Sequence, residues 1–513
     1  MERARNSIKN IIMTIISRMS TLLLTFISRK VFLQELGSEL LGVNGLFTNI
    51  VSVLSLTELG VSVVITYNLY KPLADKDYKR VTQLINYYKW LYAIIGCTVF
   101  ILGILIFPFL DYLVNLENEI ANIGLFYLLF LLDSVLSYFF IYRTAVMIAD
   151  QKNYKLNIIM IVINICKMSL QIWVVAIHKS YILYLVIQLF LNVVGNFISS
   201  KYVEKKYPYI KEKTECRKEE KRIIISEVRD MCSYQFGGII LNNTDNILIS
   251  VLVNTNTVGL YSTYAMIIQA ISSTISMCFS SMNASIGNFL VKADKESKCH
   301  LFKTLNFMSF WICTIGSIGI LTCIEGVIQL CFGKQYILGM DLLFVCVFNF
   351  FITGMNYPIW SFRNTIGLFK ETKNIMLITA LINLILSIIL GNILGLTGVL
   401  LATSIARIST SMWYEPFILY NKYFQQSRRE LMKYYIRIVS YFTEMIGIGI
   451  VTYAVIHSVK INSLMGNLCI SMLFSILVPG IMIIVLHGKS KEFKELLYYT
   501  RKLLKKNIYE DSI

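Results

Sequence analysis

Charge is scarce in this 513-residue chain: 15% of residues are Asp, Glu, Lys or Arg, whereas 56% are hydrophobic. Soluble domains carry about 25% charged residues, and so little polar surface cannot cover an apolar core of this size in water. A water-soluble globule is excluded, in keeping with the mean hydropathy of +0.62. Histidine is limited to His178, His300, His457 and His487, too dispersed to form a ligand cluster. The 11 cysteines stand singly, mostly within apolar stretches (Cys97, Cys166, Cys278, Cys313, Cys346), with no CxxC pair. A disulfide framework and a thiolate metal centre are therefore not expected, and these thiols read as reduced core residues. No GxxxxGKS or GxxxxGKT string occurs, so the chain has no phosphate-cradling loop for ATP hydrolysis. The roughly ten-residue alternation of a membrane β-barrel is missing as well.

What is present is a succession of fourteen apolar stretches, the first at 8–34 and the last at 462–487. Each is long enough for a helix to cross about 30 Å of hydrocarbon, which needs about 20 residues. The first is too long for a signal-peptide core and lacks a small-residue cleavage site, so it reads as a retained span. The net charge of +17 is carried by alternate loops. Lys71, Lys76, Lys79 and Arg80 fall on one side, as do Lys152 and Lys155, the run from Lys201 to Arg222, and Lys292 to Lys303. The intervening loops, around Glu35 and Glu39, Asp111 to Glu119, Asn254 to Thr257 and Gly391 to Thr397, hold almost no base. This is a topology signal and not a nucleic-acid surface, and it places both termini in the cytoplasm.

The chain also repeats itself. Ala74-Asp75-Lys76 aligns with Ala293-Asp294-Lys295, Asn86 with Asn306 and Gly96 with Gly316, while Leu41-Gly42-Val43 matches Val258-Gly259-Leu260. The offset spans six stretches, an even number, so the copies enter the membrane from the same side, as parallel repeats do in some transporters. The expected fold is an all-α polytopic membrane protein of about fourteen transmembrane helices in two parallel-repeat six-helix lobes plus two C-terminal helices. The expected divisions are a lobe at 1–202, a basic cytoplasmic linker at 203–222, a second lobe at 223–425, two appended helices at 426–487 and a basic amphipathic tail at 488–513. That tail reads equally well as a helix on the anionic inner leaflet and as a solvated basic segment.

Several strings are more specific. They include RKVFLQELGSELLGVNGLF (Arg29 to Phe47), LSLTELGVSVVITYNLYKPLADKD (Leu54 to Asp77) and YFFIYRTAVMIADQKNY (Tyr138 to Tyr154). NNTDNILIS (Asn242 to Ser250), VGLYSTY (Val258 to Tyr264) and GLTGVLLATSIARISTSMWYEP (Gly395 to Pro416) extend the likeness along most of the chain. On these the chain resembles the polysaccharide (O-antigen, Wzx-type) flippase family of the multidrug/oligosaccharidyl-lipid/polysaccharide exporter superfamily. The resemblance implies an undecaprenyl-diphosphate-linked oligosaccharide as substrate, alternating access between two lobes, and a cavity lined mainly by spans one, two, seven and eight.

Charges inside spans cost about 2.5–3.5 kcal/mol each on insertion scales and usually face a cavity or a partner. The chain places Arg18, Arg29 and Lys30 in span one, Glu58 in span two, Asp133 and Arg143 in span four, and Lys167 in span five. Arg18 lies about ten residues, or roughly 15 Å of helix, into its span, at a depth comparable to Glu58. A guanidinium binds a diphosphate in two-pronged fashion, so Arg18 is the candidate grip with Glu58 as its partner between cycles. The competing reading is a buried ion pair pinning two helices. Arg29 joins the substrate-binding candidates, although so near the outer end of a span snorkelling to the surface is the commoner explanation. Asp245, flanked by Asn242 and Asn246, is the candidate ion-coupling group, for Na⁺ or H⁺, against the reading of a hydrogen-bonded interhelical cluster.

No cofactor or enzymatic activity is expected. The expected partners are the lipid-linked oligosaccharide, membrane lipids and other polysaccharide-assembly membrane proteins, with no nucleic acid. The expected location is the cytoplasmic (inner) membrane. The rival readings are an ion-coupled multidrug exporter of the same superfamily and a membrane-embedded polysaccharide polymerase, the latter disfavoured by the short external loops.

Overall fold

The structure, a computed structural model, describes residues 2–55, 59–115, 120, 122–150, 152–212, 214–292, 294–366, 368–459 and 463–497. These residues are helical apart from short connections, and they fall into two compact units, Met1–Ser262 and Thr263–Ile513. The first unit holds α1 (Glu2–Leu54), α2 (Leu59–Ala74), α3 (Tyr78–Ile106), α4 (Leu110–Leu113), α5 (Ile123–Ala149), α6 (Tyr154–His178), α7 (Tyr181–Lys206), α8 (Lys218–Leu252) and the opening turns of α9 (Thr255–Lys292). The second holds the rest of α9, then α10 (Lys295–Cys331), α11 (Met340–Met355), α12 (Tyr357–Ile366), α13 (Phe369–Ser409), α14 (Ser411–Ile418), α15 (Arg428–Ser458) and α16 (Leu464–His487).

Among the described residues, nine helical stretches are long and apolar enough to cross a membrane. The chain is a multi-pass membrane protein. Its outer face is apolar, with Phe109, Phe190, Ile393 and Val485 all exposed, as hydrocarbon requires and water would not. Helix starts are set by short polar side chains. Asp77 caps α3 by accepting from the Arg80 amide at 2.9 Å, and Ser463 caps α16 by accepting from the Gly466 amide at 3.0 Å. Two long rods are each broken by one glycine. Gly37 interrupts α1 at φ +82° and Gly395 interrupts α13 at φ +61°, a region glycine enters without a Cβ penalty.

In the first unit α1 and α9 cross very closely. A Cβ on Gly42 would stand 1.9 Å from the Thr255 carbonyl oxygen, and one on Gly259 would stand 2.1 Å from that of Ser38. Loops that the charge pattern assigns to one side meet one another. Lys179 pairs with Glu35 at 2.9 Å, and Asn115 accepts from the Thr255 amide at 2.7 Å. On the other side Asn86 donates to the carbonyls of Glu212 and Thr214 at 2.7 and 3.2 Å, and Arg80 pairs with Glu220.

Each unit also contains a Glu–Arg pair near helix ends. Arg143 of α5 meets Glu204 of α7 at 2.9 Å, and Arg363 of α12 meets Glu415 of α14 at 2.9 Å. The tail begins with a helical turn at 491–497 that packs on its own unit. Phe493 is buried and stacks on Trp311 with ring centroids 5.6 Å apart, Glu492 pairs with Arg437, and Glu495 pairs with His300 at 2.9 Å. Phe493 packs against protein while Leu497 is exposed; from 498 onward the tail lies outside the described residues.

Candidate functional site

A cavity of about 330 Å³ lies wholly within the first unit, walled by α1, α6, α7, α8 and the start of α9. Its volume is at the lower end of the range for small-ligand pockets, about 300–1,000 Å³. The α1 wall is polar in both halves of the broken rod: Thr25, Ser28 and Arg29 before Gly37, and Asn44, Thr48 and Asn49 after it. Gln171 comes from α6, Tyr184 from α7, Asn246 from α8 and Ser262 from α9. The break at Gly37 is what allows a single helix to line two sides of one space.

Arg29 is turned inward. Its Nη2 donates to Ser262 Oγ, which in turn donates to the Gly259 carbonyl at 2.8 Å, and its Nε is buried. Its neighbour Lys30 is exposed, so the snorkelling expected of both residues applies to Lys30 alone. One turn on, Phe32 packs edge-on against Tyr181 and Tyr184 at 5.6 and 5.3 Å, which orients this face of α1 toward α7. Gln171 donates to the Tyr184 carbonyl at 3.2 Å and ties α6 to α7 across the cavity floor. Among the described lining residues Arg29 is the single charged side chain, set among hydroxyls and amides. A guanidinium remains protonated even when desolvated. Such a lining offers an anion one fixed positive charge, with hydroxyl and amide N–H groups as further donors.

Of the other sequence candidates, Asn246 lines this same cavity. Asp245 is half-buried on α8 beside it and is not among the described lining residues. Glu58, together with the side chains of Arg18 and Asn242, lies outside the described residues. The structure thus brings Arg29 and Asn246 into one site. Sequence reasoning passed over Asn44, Gln171, Tyr184 and Ser262. The signal was there for Gln171 and Tyr184, since Lys167 and Gln171 lie four residues apart on α6, and so do Tyr184, Gln188 and Asn192 on α7, giving polar stripes in apolar helices.

The comparisons with known proteins agree with this architecture. The family model described as "Polysaccharide biosynthesis protein" matches residues 7–282, more than half of the chain. Among solved structures, the chain is similar to the lipid II flippase MurJ in an inward closed conformation, with a TM-score of 0.68 and 14% identity over 93% of this chain and 98% of that one. It is also similar to an inward-facing MATE family multidrug resistance transporter of the MOP superfamily, with a TM-score of 0.60 and 14% identity over 79% and 98% of the two chains. The Vibrio cholerae MATE transporter VcmN gives 0.56 and 13% identity over 82% and 99%. At such identities the likeness establishes the fold. No curated protein matches the chain in sequence.

Proposed function

This chain belongs to the polysaccharide biosynthesis protein family, and we propose that it is a flippase moving undecaprenyl-diphosphate-linked oligosaccharide units from the inner to the outer leaflet of the cytoplasmic membrane. The observation that carries this reading is the Arg29 cavity: one fixed positive charge among hydroxyls and amides, in a fold shared with a lipid II flippase. A diphosphate is a dianion or trianion whose oxygens match a guanidinium fork. The sugars that follow offer hydroxyls, which Asn44, Asn49, Gln171 and Tyr184 are suited to meet. Arg18 and Glu58 belong to the same proposal, Arg18 as a second grip on the diphosphate and Glu58 as its counter-charge in the empty state.

The exporter of cationic drugs, the rival within the same fold, is disfavoured because a buried guanidinium repels a cationic ligand. The pairing of Gly42 with Thr255 and of Gly259 with Ser38 supports the architecture this function needs. These contacts are related by the 217-residue offset of the repeat (255 minus 38, and 259 minus 42), as expected for two parallel copies about an axis along the membrane normal. The Arg143–Glu204 and Arg363–Glu415 pairs join the fourth to the sixth span of each copy and support it independently. The full arrangement would be fourteen spans, two six-helix lobes and two appended helices.

Deleting the gene should leave lipid-linked repeat units on the inner leaflet and abolish the surface polymer. Complementation with Arg29→Lys, which keeps the charge and loses the fork, should restore protein level but leave polymer per inserted protein reduced by about tenfold, the cost of roughly one charge-assisted hydrogen bond. Unchanged polymer in the deletion strain, with no second flippase in the cell, sinks the reading.

A further inference from the structure

A half-buried polar cluster lies in the first unit, away from the cavity lining. Asp133 of α5 accepts from Asn192 Nδ2 of α7 on both carboxylate oxygens, at 3.0 and 2.9 Å, and from Gln188 Nε2 of α7 at 3.1 Å. Lys167 of α6 donates to Asn192 Oδ1 at 3.0 Å. Asp133, Lys167 and Asn192 all sit within about three residues, roughly 5 Å of helix rise, of the midpoints of their helices. A carboxylate and an amine are thus held at mid-depth with one amide between them.

That arrangement differs in kind from the two arginine pairs. In those, a guanidinium that never gives up its proton touches the carboxylate directly, which fixes both charges. Here both charge-bearing groups can titrate, and the Asn192 amide keeps them apart, so the attraction opposing protonation of Asp133 is weaker than in a contact pair. The amide ligands suit either state, because Asn192 and Gln188 can turn a carbonyl oxygen toward a protonated carboxyl. A hard cation such as sodium needs several oxygen ligands at once, whereas a proton needs only the Asp133 carboxyl, and that favours the proton. Among the described residues, α6 presents Lys167 to Asp133 and α7 presents Gln188 and Asn192, while no charged side chain of α1, α2 or α3 lies within hydrogen-bonding distance of it. Ser55 meets the neighbouring Ser134 at 3.3 Å.

The cluster is joined to the Arg29 cavity by two polar stripes. Tyr184, Gln188 and Asn192 follow one another at four-residue spacing on α7, as do Lys167 and Gln171 on α6, and Tyr184 and Gln171 line the cavity. We infer that Asp133 and Lys167 form a proton-binding site that couples movement of the anionic lipid to the proton gradient. A proton from external water forms the O–H bond on the Asp133 carboxyl, and that bond breaks to cytoplasmic water as the empty carrier resets. The inference rests on the flippase reading for its transport half, and on the cluster alone for its proton-binding half.

Infrared difference spectra of the purified full-length protein, titrated from about pH 9 to about pH 5, test the second half without any substrate. The wild type should gain a protonated-carboxyl band that is missing in Asp133→Asn. The double variant Asp133→Asn with Lys167→Gln removes both charges, so it folds even if the single variant leaves Lys167 too costly to bury. In cells, polymer per inserted protein should rise as the medium is acidified for the wild type. In the double variant this response should fall by about tenfold, within the usual range of coupling energies. A band that persists in Asp133→Asn overturns the proton site. So does a response to sodium in place of acid. A pH response retained by the double variant overturns the coupling role. If polymer does not depend on this protein at all, the flippase reading fails, whatever the infrared titration shows.

Discussion

Arg363 and Glu415 are almost completely buried, with side chains 7% and 1% exposed, and Arg407 lies close enough to act on Glu415 through space while donating to Thr353. One carboxylate therefore serves two guanidinium groups in a dry setting. Removing a partner from a buried pair leaves a charge uncompensated and typically costs about 3–5 kcal/mol. Glu415→Gln should be the worse change, because it strands two cations, whereas Arg363→Met leaves Glu415 with Arg407. Melting temperatures in detergent should fall in that order, and an equal loss for the two variants would deny Arg407 its part. Glu204→Gln should cost less than either, since Arg143 is 24% exposed and water screens it. Arg363 escaped the sequence reading because it stands near the end of its apolar stretch among Ser361, Asn364 and Thr365, where it passes for a loop charge. Its position 220 residues after Arg143 was the available sign (363 minus 143). Arg29 was legible as a charge within a span, but the direction of its side chain is set by Ser262, more than two hundred residues away, and no local pattern carries that.

At the level of helices, fourteen spans are expected, and among the described residues nine stretches are long and apolar enough to cross, since lipid demands about twenty apolar residues wherever a helix does so. The internal breaks were harder to see. The single stretch at 340–367 is split at Asn356 into α11 and α12, because Pro358 lacks an amide for the helical ladder. The turn between the first two spans is not a loop but one glycine in an otherwise continuous helix. The repeat did point to Gly42 and Gly259, although only the structure shows why both are glycine: each lies against a backbone carbonyl of the other's helix. Gly42→Val and Gly259→Val should therefore be about equally damaging, each forcing α1 and α9 apart and lowering both melting temperature and polymer output. Gly447→Ala is the control, because nothing lies within 4 Å of its added Cβ and alanine favours a helix by about 0.8–1.0 kcal/mol. Loss of function in Gly447→Ala, or tolerance at Gly42, would contradict the role given to the crossing.

For the molecule as a whole, two independent observations bear on sidedness: where the bases fall and which loops touch. Lys179 lies in a loop assigned to the outside despite its charge, and its partner Glu35 belongs to another loop assigned there. Likewise Thr255 bonds Asn115 across two loops expected outside, and Asn86 of α3 donates to the carbonyls of Glu212 and Thr214 in the linker expected inside. A single miscounted span between two of these loops would put them on opposite sides, so the contacts agree with the expected alternation. The absolute orientation is an expectation that rests on the bases alone. It matters for the proposed function, in which the cargo is taken up at the inner leaflet. Exposed Lys211 in the linker and exposed Asn392 at the far end of the first half of α13 serve as reporters. On a cysteine-free background, a membrane-impermeant maleimide should label Asn392→Cys in intact cells and Lys211→Cys only after permeabilisation. The reverse pattern would turn the whole chain over and remove the cytoplasmic termini. Labelling of both positions from outside would instead break the count of spans between them, and with it the parallel relation of the two repeats on which the alternating-access proposal depends.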